Sequence, residues 1–195
     1  MFSARFAHLL LPALSLILAT HTPPADPEFN LDAIAQRIHT LINEAREAEG
    51  LPPLKWSDEL ASQAINHSSD QAEHNYFSHE DRAGRSASER AKRAGYTCER
   101  PLGDGRTYSG IGENIFHTFF YTAITTTVIN GVESEAYEWK SEQEIAREAV
   151  SAWMNSPGHR KNILTPHYQE AGLGLATRPA PNGADGEVWV TQTFC

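Results

Sequence analysis

Apolar residues first recur at helical spacing at Leu31, Ile34, Ala35, Ile38, Leu41, Ile42 and Ala45, which predicts an amphipathic helix. Asn30 can cap its start, and Gly50 sits where such a helix would end. Proline forbids helix in Leu51-Pro52-Pro53-Leu54-Lys55-Trp56, which reads as an extended connector. Ser57 opens a second helix through Leu60, Ala61, Ala64 and Ile65, running to about Asn75. Ser86-Ala87-Ser88-Glu89 and Ser141-Glu142-Gln143-Glu144 are capping boxes. The first starts a short helix ending at Gly95. The second starts a helix with Ile145, Ala149, Ala152 and Trp153 on one face, stopping before Pro157.

The pattern then changes period. Ile124 to Ile129 is β-branched and threonine-rich, Asn130-Gly131 follows, and Val132 resumes the run. Asn-Gly supplies both positive φ angles of a type I′ turn, so this is a predicted hairpin. Ala171 to Thr177 and Val188 to Phe194 read as two further strands, turned by Asn182 to Gly186. Helices come mostly first and strands late, which favours an α+β fold over a regular βαβ repeat.

Residues 1–22 hold one charge, Arg5, ahead of an apolar run of roughly a dozen residues, shorter than the ~20 a spanning helix needs. They are expected to be a secretory leader, with retention as a membrane anchor as the alternative. Residues 23–29 form a proline-rich linker, and residues 30–195 are expected to fold as one domain. The expected location is therefore outside the cell, or anchored facing outside. The 195-residue chain carries 16 Lys+Arg against 25 Asp+Glu, a net charge of −9. Nucleic acid is excluded as the main partner, because phosphate backbones need a basic stripe.

Local catalytic patterns mostly fail. His79-Glu80 begins like a zincin helix, but position 83 is Ala where the second His should stand. There is no G-x-S-x-G elbow, and Gly110-Ile111-Gly112 lacks the third glycine of a dinucleotide site. The two cysteines, Cys98 and Cys195, are not in a C-x-x-C pair and are most simply a disulfide, with a nucleophilic thiol as the other reading.

Three blocks occur in order: Asn75-Tyr76-Phe77-Ser78-His79, Gly112-Glu113-Asn114-Ile115, and Trp153-Met154-Asn155-Ser156-Pro157-Gly158-His159-Arg160-Lys161-Asn162-Ile163-Leu164. Together they resemble the CAP superfamily, the SCP-like extracellular domain of cysteine-rich secretory proteins, antigen 5 and plant pathogenesis-related proteins. The Ser-Pro-Gly-His-Arg version looks like the prokaryotic branch. Asn43, Arg46, Trp56 and Gly172-Leu173-Gly174 agree with it, and the match runs roughly from Leu31 to Phe194.

The resemblance implies a three-layer α-β-α sandwich with a central, mainly antiparallel sheet. It also implies a cleft lined by His79, Glu113 and His159, with Ser156 where animal and plant members carry a second Glu. Two imidazoles and a carboxylate could bind Zn or another divalent metal, leaving a fourth position for water. A Glu with two His could also move protons near neutral pH. The expectation is an extracellular binding module for a lipid, sterol, peptide or glycan, acting as a monomer. The alternative is a metal- or water-dependent hydrolase using Glu113 with His79 and His159 as candidate catalytic residues.

The remaining histidines read more plainly. His67 and His74 are expected on the solvent side of the second helix, and His39 and His167 at the surface or in loops. The stretch from Phe116 to Trp139 is either an ordinary hairpin packing its aromatic side on the domain or a lid beside the Glu113 cleft.

Overall fold

The computed structural model describes residues 27–179 and 185–195; the expected leader and most of the linker lie outside them. In chain order the elements are α1 (Leu31–Ala48), β1 (Lys55–Trp56), α2 (Asp58–His74), α3 (Ala87–Arg93), β2 (Glu99–Gly103), β3 (Arg106–Ser109), β4 (Gly112–Phe119), β5 (Tyr121–Ile129), β6 (Val132–Trp139), α4 (Glu142–Asn155), α5 (Pro157–Ile163), β7 (Glu170–Pro179) and β8 (Asp185–Phe194).

The caps legible in the sequence form. Asn30 accepts from the Ala33 N–H, Ser57 from Leu60, and both capping boxes close in each direction. Asn75 ends α2 in the left-handed region at φ 52°. The sequence reading contains neither α5 nor the β2–β3 hairpin nor β4. The chain does not leave helix for good at Pro157. That proline occupies the first turn of α5, where its missing N–H costs nothing. Glu99–Ser109 is a second hairpin, β2–β3, turned by Gly103, Asp104 and Gly105, all at positive φ.

The central sheet has strand order β1-β7-β8-β4. β1 pairs with β7 in parallel, and the other pairs are antiparallel. α1 and α4 cover one face. Ile34, Ile38, Ile42, Ile145, Ala149 and Trp153 pack there against Leu173, Leu175, Val188, Val190 and Phe194. α2 covers the other face through small and polar residues. A Cβ on Gly172 would lie 2.0 Å from the Ala61 backbone N, and one on Gly174 2.0 Å from that of Ile65. Helix and strand can approach this closely only because both positions lack a side chain. The Ser68 hydroxyl donates to the Gly174 carbonyl, and that of Thr193 to the Leu60 carbonyl. The result is the three-layer α-β-α sandwich.

Cys98 and Cys195 form a disulfide, with Cα atoms 5.5 Å apart across a sequence separation of 97. The β5–β6 hairpin forms its own two-stranded sheet, with Asn130 and Gly131 at φ 52° and 79°. Its base stacks Tyr137 on Trp139, near Phe29, which itself stacks on Phe120. Its tip leaves Val128, Ile129 and Val132 exposed. The hairpin springs from Phe119, six residues or about 20 Å along β4 from Glu113. Its root is therefore at the far end of that strand, which argues against the lid.

Candidate functional site

β4 is an edge strand, and its side chains alternate between the two faces of the sheet. Glu113, Ile115 and His117 stand opposite Thr193, Thr191 and Trp189, on the face that α2 covers. Asn114 and Phe116 point towards α4 and α5. The edge position lets two other segments close on Glu113. The loop after α2 supplies His79, and α5, on the other side of the edge, supplies His159. Tertiary structure thus brings together residues 34 and 46 positions from Glu113.

His79 Nδ1 and Glu113 Oε1 are 2.9 Å apart. A carboxylate oxygen can only accept here, so Nδ1 carries the proton and Nε2 keeps its lone pair in the neutral ring. The Glu113 side chain is 4% exposed and that of His79 is 54% exposed. The acid is the buried anchor of the pair, and the imidazole is its face to solvent. The His159 ring lies 5.8 Å from that of His79, centroid to centroid. Burial, then the His79 charge, holds the His159 imidazole below its ordinary pKa.

Sequence reasoning missed the residue that controls Glu113. Arg90, on α3, donates from Nη2 to Glu113 Oε2, and from Nη1 to the carbonyls of His79 (2.8 Å) and Arg85 (3.0 Å). One guanidinium therefore neutralises the acid and fixes the loop that carries His79. Arg90 lies in a basic run, Arg90 to Arg93, that reads as a solvated helix end, so no local signal marked it. Asn162 has no role legible in the sequence beyond its place in the third block. Its side chain donates to the Glu113 carbonyl and to Asn114 Oδ1, both at 2.9 Å, while Asn114 donates to the His159 carbonyl. These amides tie α5 to β4.

The set does not fit the Zn or other divalent metal expected from sequence. Both Glu113 oxygens are already engaged, one by a guanidinium that would repel a cation. Among the described residues no group of three or more His, Cys, Asp or Glu side chains could hold a metal ion. Ser156 sits between α4 and α5 with its backbone in the capping bonds. Among the described residues its hydroxyl makes no hydrogen bond to His79, Glu113 or His159, so the position does not replace a second acid.

His67 corrects the expectation of a solvated side chain. It is 2% exposed, with Nε2 2.9 Å from the Ser78 carbonyl. Its spacing from Leu60, Ala61 and Ala64 continues the buried stripe of α2, a signal the sequence contained. His74 is exposed, as expected, and pairs with Asp70 at 3.1 Å. His39 and His167 are half-buried against Trp56 and Tyr108, with ring centroids 5.3 and 4.5 Å apart. His117 lies on Trp189 and bonds Glu187 at 2.9 Å.

The CAP family, the cysteine-rich secretory protein family, matches residues 39–194, four-fifths of the chain. This chain belongs to the CAP family. YkwD of Bacillus subtilis is 28% identical over 173 residues, 89% of this chain and 51% of that protein. The CAP fold here superimposes on an extracellular SCP-domain protein of Bacillus anthracis with a TM-score of 0.56 at 26% identity. That match covers 84% of this chain and 40% of the other. An outer surface protein of Borrelia burgdorferi shares the fold at a TM-score of 0.54 and 14% identity, covering 87% of this chain and 98% of that one. This CAP chain thus spans about half of YkwD and about two-fifths of the Bacillus anthracis protein.

Proposed function

We propose that this CAP protein is an extracellular binding module whose cleft offers His79 and His159 as hydrogen-bonding groups to a peptide or glycan. The observation that carries the reading is the double engagement of Glu113. With one oxygen on His79 and the other on Arg90, the acid serves as a fixed anchor and not as a free base or a metal ligand. His79 Nε2 is left as an acceptor on a half-exposed ring of fixed tautomer, which suits specific recognition of an N–H or O–H donor. A polar cleft of this kind favours peptide or sugar over lipid or sterol. The disulfide suits an oxidising location, and the related Bacillus anthracis and Borrelia proteins are described as extracellular and outer-surface.

One observation favours the hydrolase as second reading. An imidazole oriented through Nδ1 by a buried carboxylate is the arrangement of a general base. A single experiment separates the two. The protein and its His79→Ala/His159→Ala variant are screened on peptide and glycan arrays, and the hits are then tested for turnover. Binding without turnover, weakened about tenfold or more in the variant, supports the module. Turnover lost in the variant supports the hydrolase. Hits that bind both proteins equally refute a role for the cleft in either.

A further inference from the structure

A concavity lies beside α3, the helix that carries Arg90. It has a volume of about 540 Å³ and opens between α2, the loop of residues 81–85, and α3. Its charge runs against that of the chain. The molecule is net −9, yet Arg82, Arg85, Arg90 and Arg93 line this one cavity, against Asp70 and Asp81.

Both acids are already satisfied inside the protein. Asp70 accepts from the Tyr76 hydroxyl and pairs with His74. Asp81 accepts from Arg85 Nε at 2.7 Å and from the N–H groups of Ala83 and Arg85 at 2.9 Å. The side chains of Arg82 and Arg93 form no hydrogen bond or ion pair among the described residues, so the cavity carries an excess of cationic donors.

His67 is one of the residues lining the cavity, and its ring holds an unanswered acceptor. His67 is 2% exposed, and its Nδ1 is buried with no hydrogen-bond partner among the described residues. Nε2 faces the Ser78 carbonyl, which can only accept, so the ring proton sits on Nε2 and Nδ1 is a bare lone pair in the neutral form. Burial lowers the His67 pKa and keeps the ring neutral at pH 7. The nearby Glu113 and Asp70 charges oppose that shift, and Arg90 reinforces it. A buried acceptor with no partner is costly unless a water or a ligand answers it.

We propose that this cavity binds a small oxyanion that still carries a proton, a hydrogenphosphate group being the simplest. Its charged oxygens meet the free guanidinium groups of Arg82 and Arg93, and its O–H meets His67 Nδ1. Arginine suits this task because its fork of donors matches a tetrahedral oxyanion. The proposal stands apart from the reading of the cleft: either can fail without the other.

The test is calorimetric titration at pH 7 with inorganic phosphate, and with sulfate at matched ionic strength. Sulfate has the same shape but no proton to donate. Phosphate is expected to bind at one saturable site, at least tenfold tighter than sulfate. Arg82 and Arg93 are exposed and the Arg82→Ala/Arg93→Ala variant loses no hydrogen bond or ion pair, so circular dichroism and its melting temperature should match the parent's, and it is expected to bind phosphate at least tenfold more weakly. Arg90 is left unchanged because its loss would disturb Glu113. Glycerol phosphate identifies the source: tighter binding than phosphate indicates an organic phosphate ligand, and equal binding the free ion. The proposal is overturned if phosphate shows no saturable site, if the arginine variant binds as well as the parent, or if sulfate binds equally.

Discussion

Replacing Glu113 with Gln tests the central claim that this acid is an anchor for Arg90. The Glu113 side chain is 4% exposed and that of Arg90 is 14% exposed, so both charges are largely withdrawn from water. Removing one member of such a buried pair costs about 3–5 kcal/mol, because the survivor keeps its charge without a counter-charge. Gln can still accept from His79 Nδ1, and Arg90 keeps its bonds to the carbonyls of His79 and Arg85. The loss therefore belongs near the lower end, about 3 kcal/mol. With a urea m-value of about 2 kcal/mol/M, the unfolding midpoint should fall by about 1.5 M. Fluorescence of the buried Trp153 and Trp189 reports the transition. Arg90→Met and the double variant complete a cycle. Once both charges are gone, the double variant should be more stable than the sum of the single losses predicts, by at least about 1 kcal/mol. A Glu113→Gln loss under about 1 kcal/mol, or strictly additive single variants, would refute the anchor.

Other outcomes follow from the same structure. Replacing Cys98 and Cys195 with Ala opens a loop of 97 residues, and denaturation should show a loss of about 4–5 kcal/mol on the chain-entropy account. His67 and His159 both have pKa values lowered by burial, so the unfolded chain binds protons more readily than the folded one just below the ordinary histidine value. Stability should therefore fall as pH drops from 7 through 6.5 towards 5, and His67→Gln should flatten that slope in urea midpoints measured across the range. Gly174→Ala places a methyl 2.0 Å from the Ile65 backbone N, which only a shift of α2 can relieve. Thermal melts should show a loss of at least about 1–3 kcal/mol, the usual cost of overpacking. Deleting residues 121–138 should leave binding at the His79 cleft within twofold; a tenfold loss would restore the lid.

The sequence by itself determined whatever depends on contacts a few residues long. Ser86 with Glu89 and Ser141 with Glu144 announce helix starts, because a cap joins groups three residues apart. Asn130-Gly131 announces its hairpin, because few residue pairs tolerate two successive positive φ angles. The ordered blocks around His79, Glu113 and His159 also pointed to the family and, through it, to the sandwich and its cleft. Tertiary structure decided the rest. β4 has no alternating pattern of its own, since Gly112 to Ile115 are all buried by neighbours distant in the chain. His67 follows the helical spacing of the buried stripe of α2, but only folding brings it the Ser78 carbonyl that its ring meets. Above all, Arg90 could not be distinguished from the arginine and lysine beside it until folding set its guanidinium on Glu113. That contact turns a candidate metal ligand into a neutralised anchor, because a carboxylate's chemistry is set by the charges within a few ångströms of it.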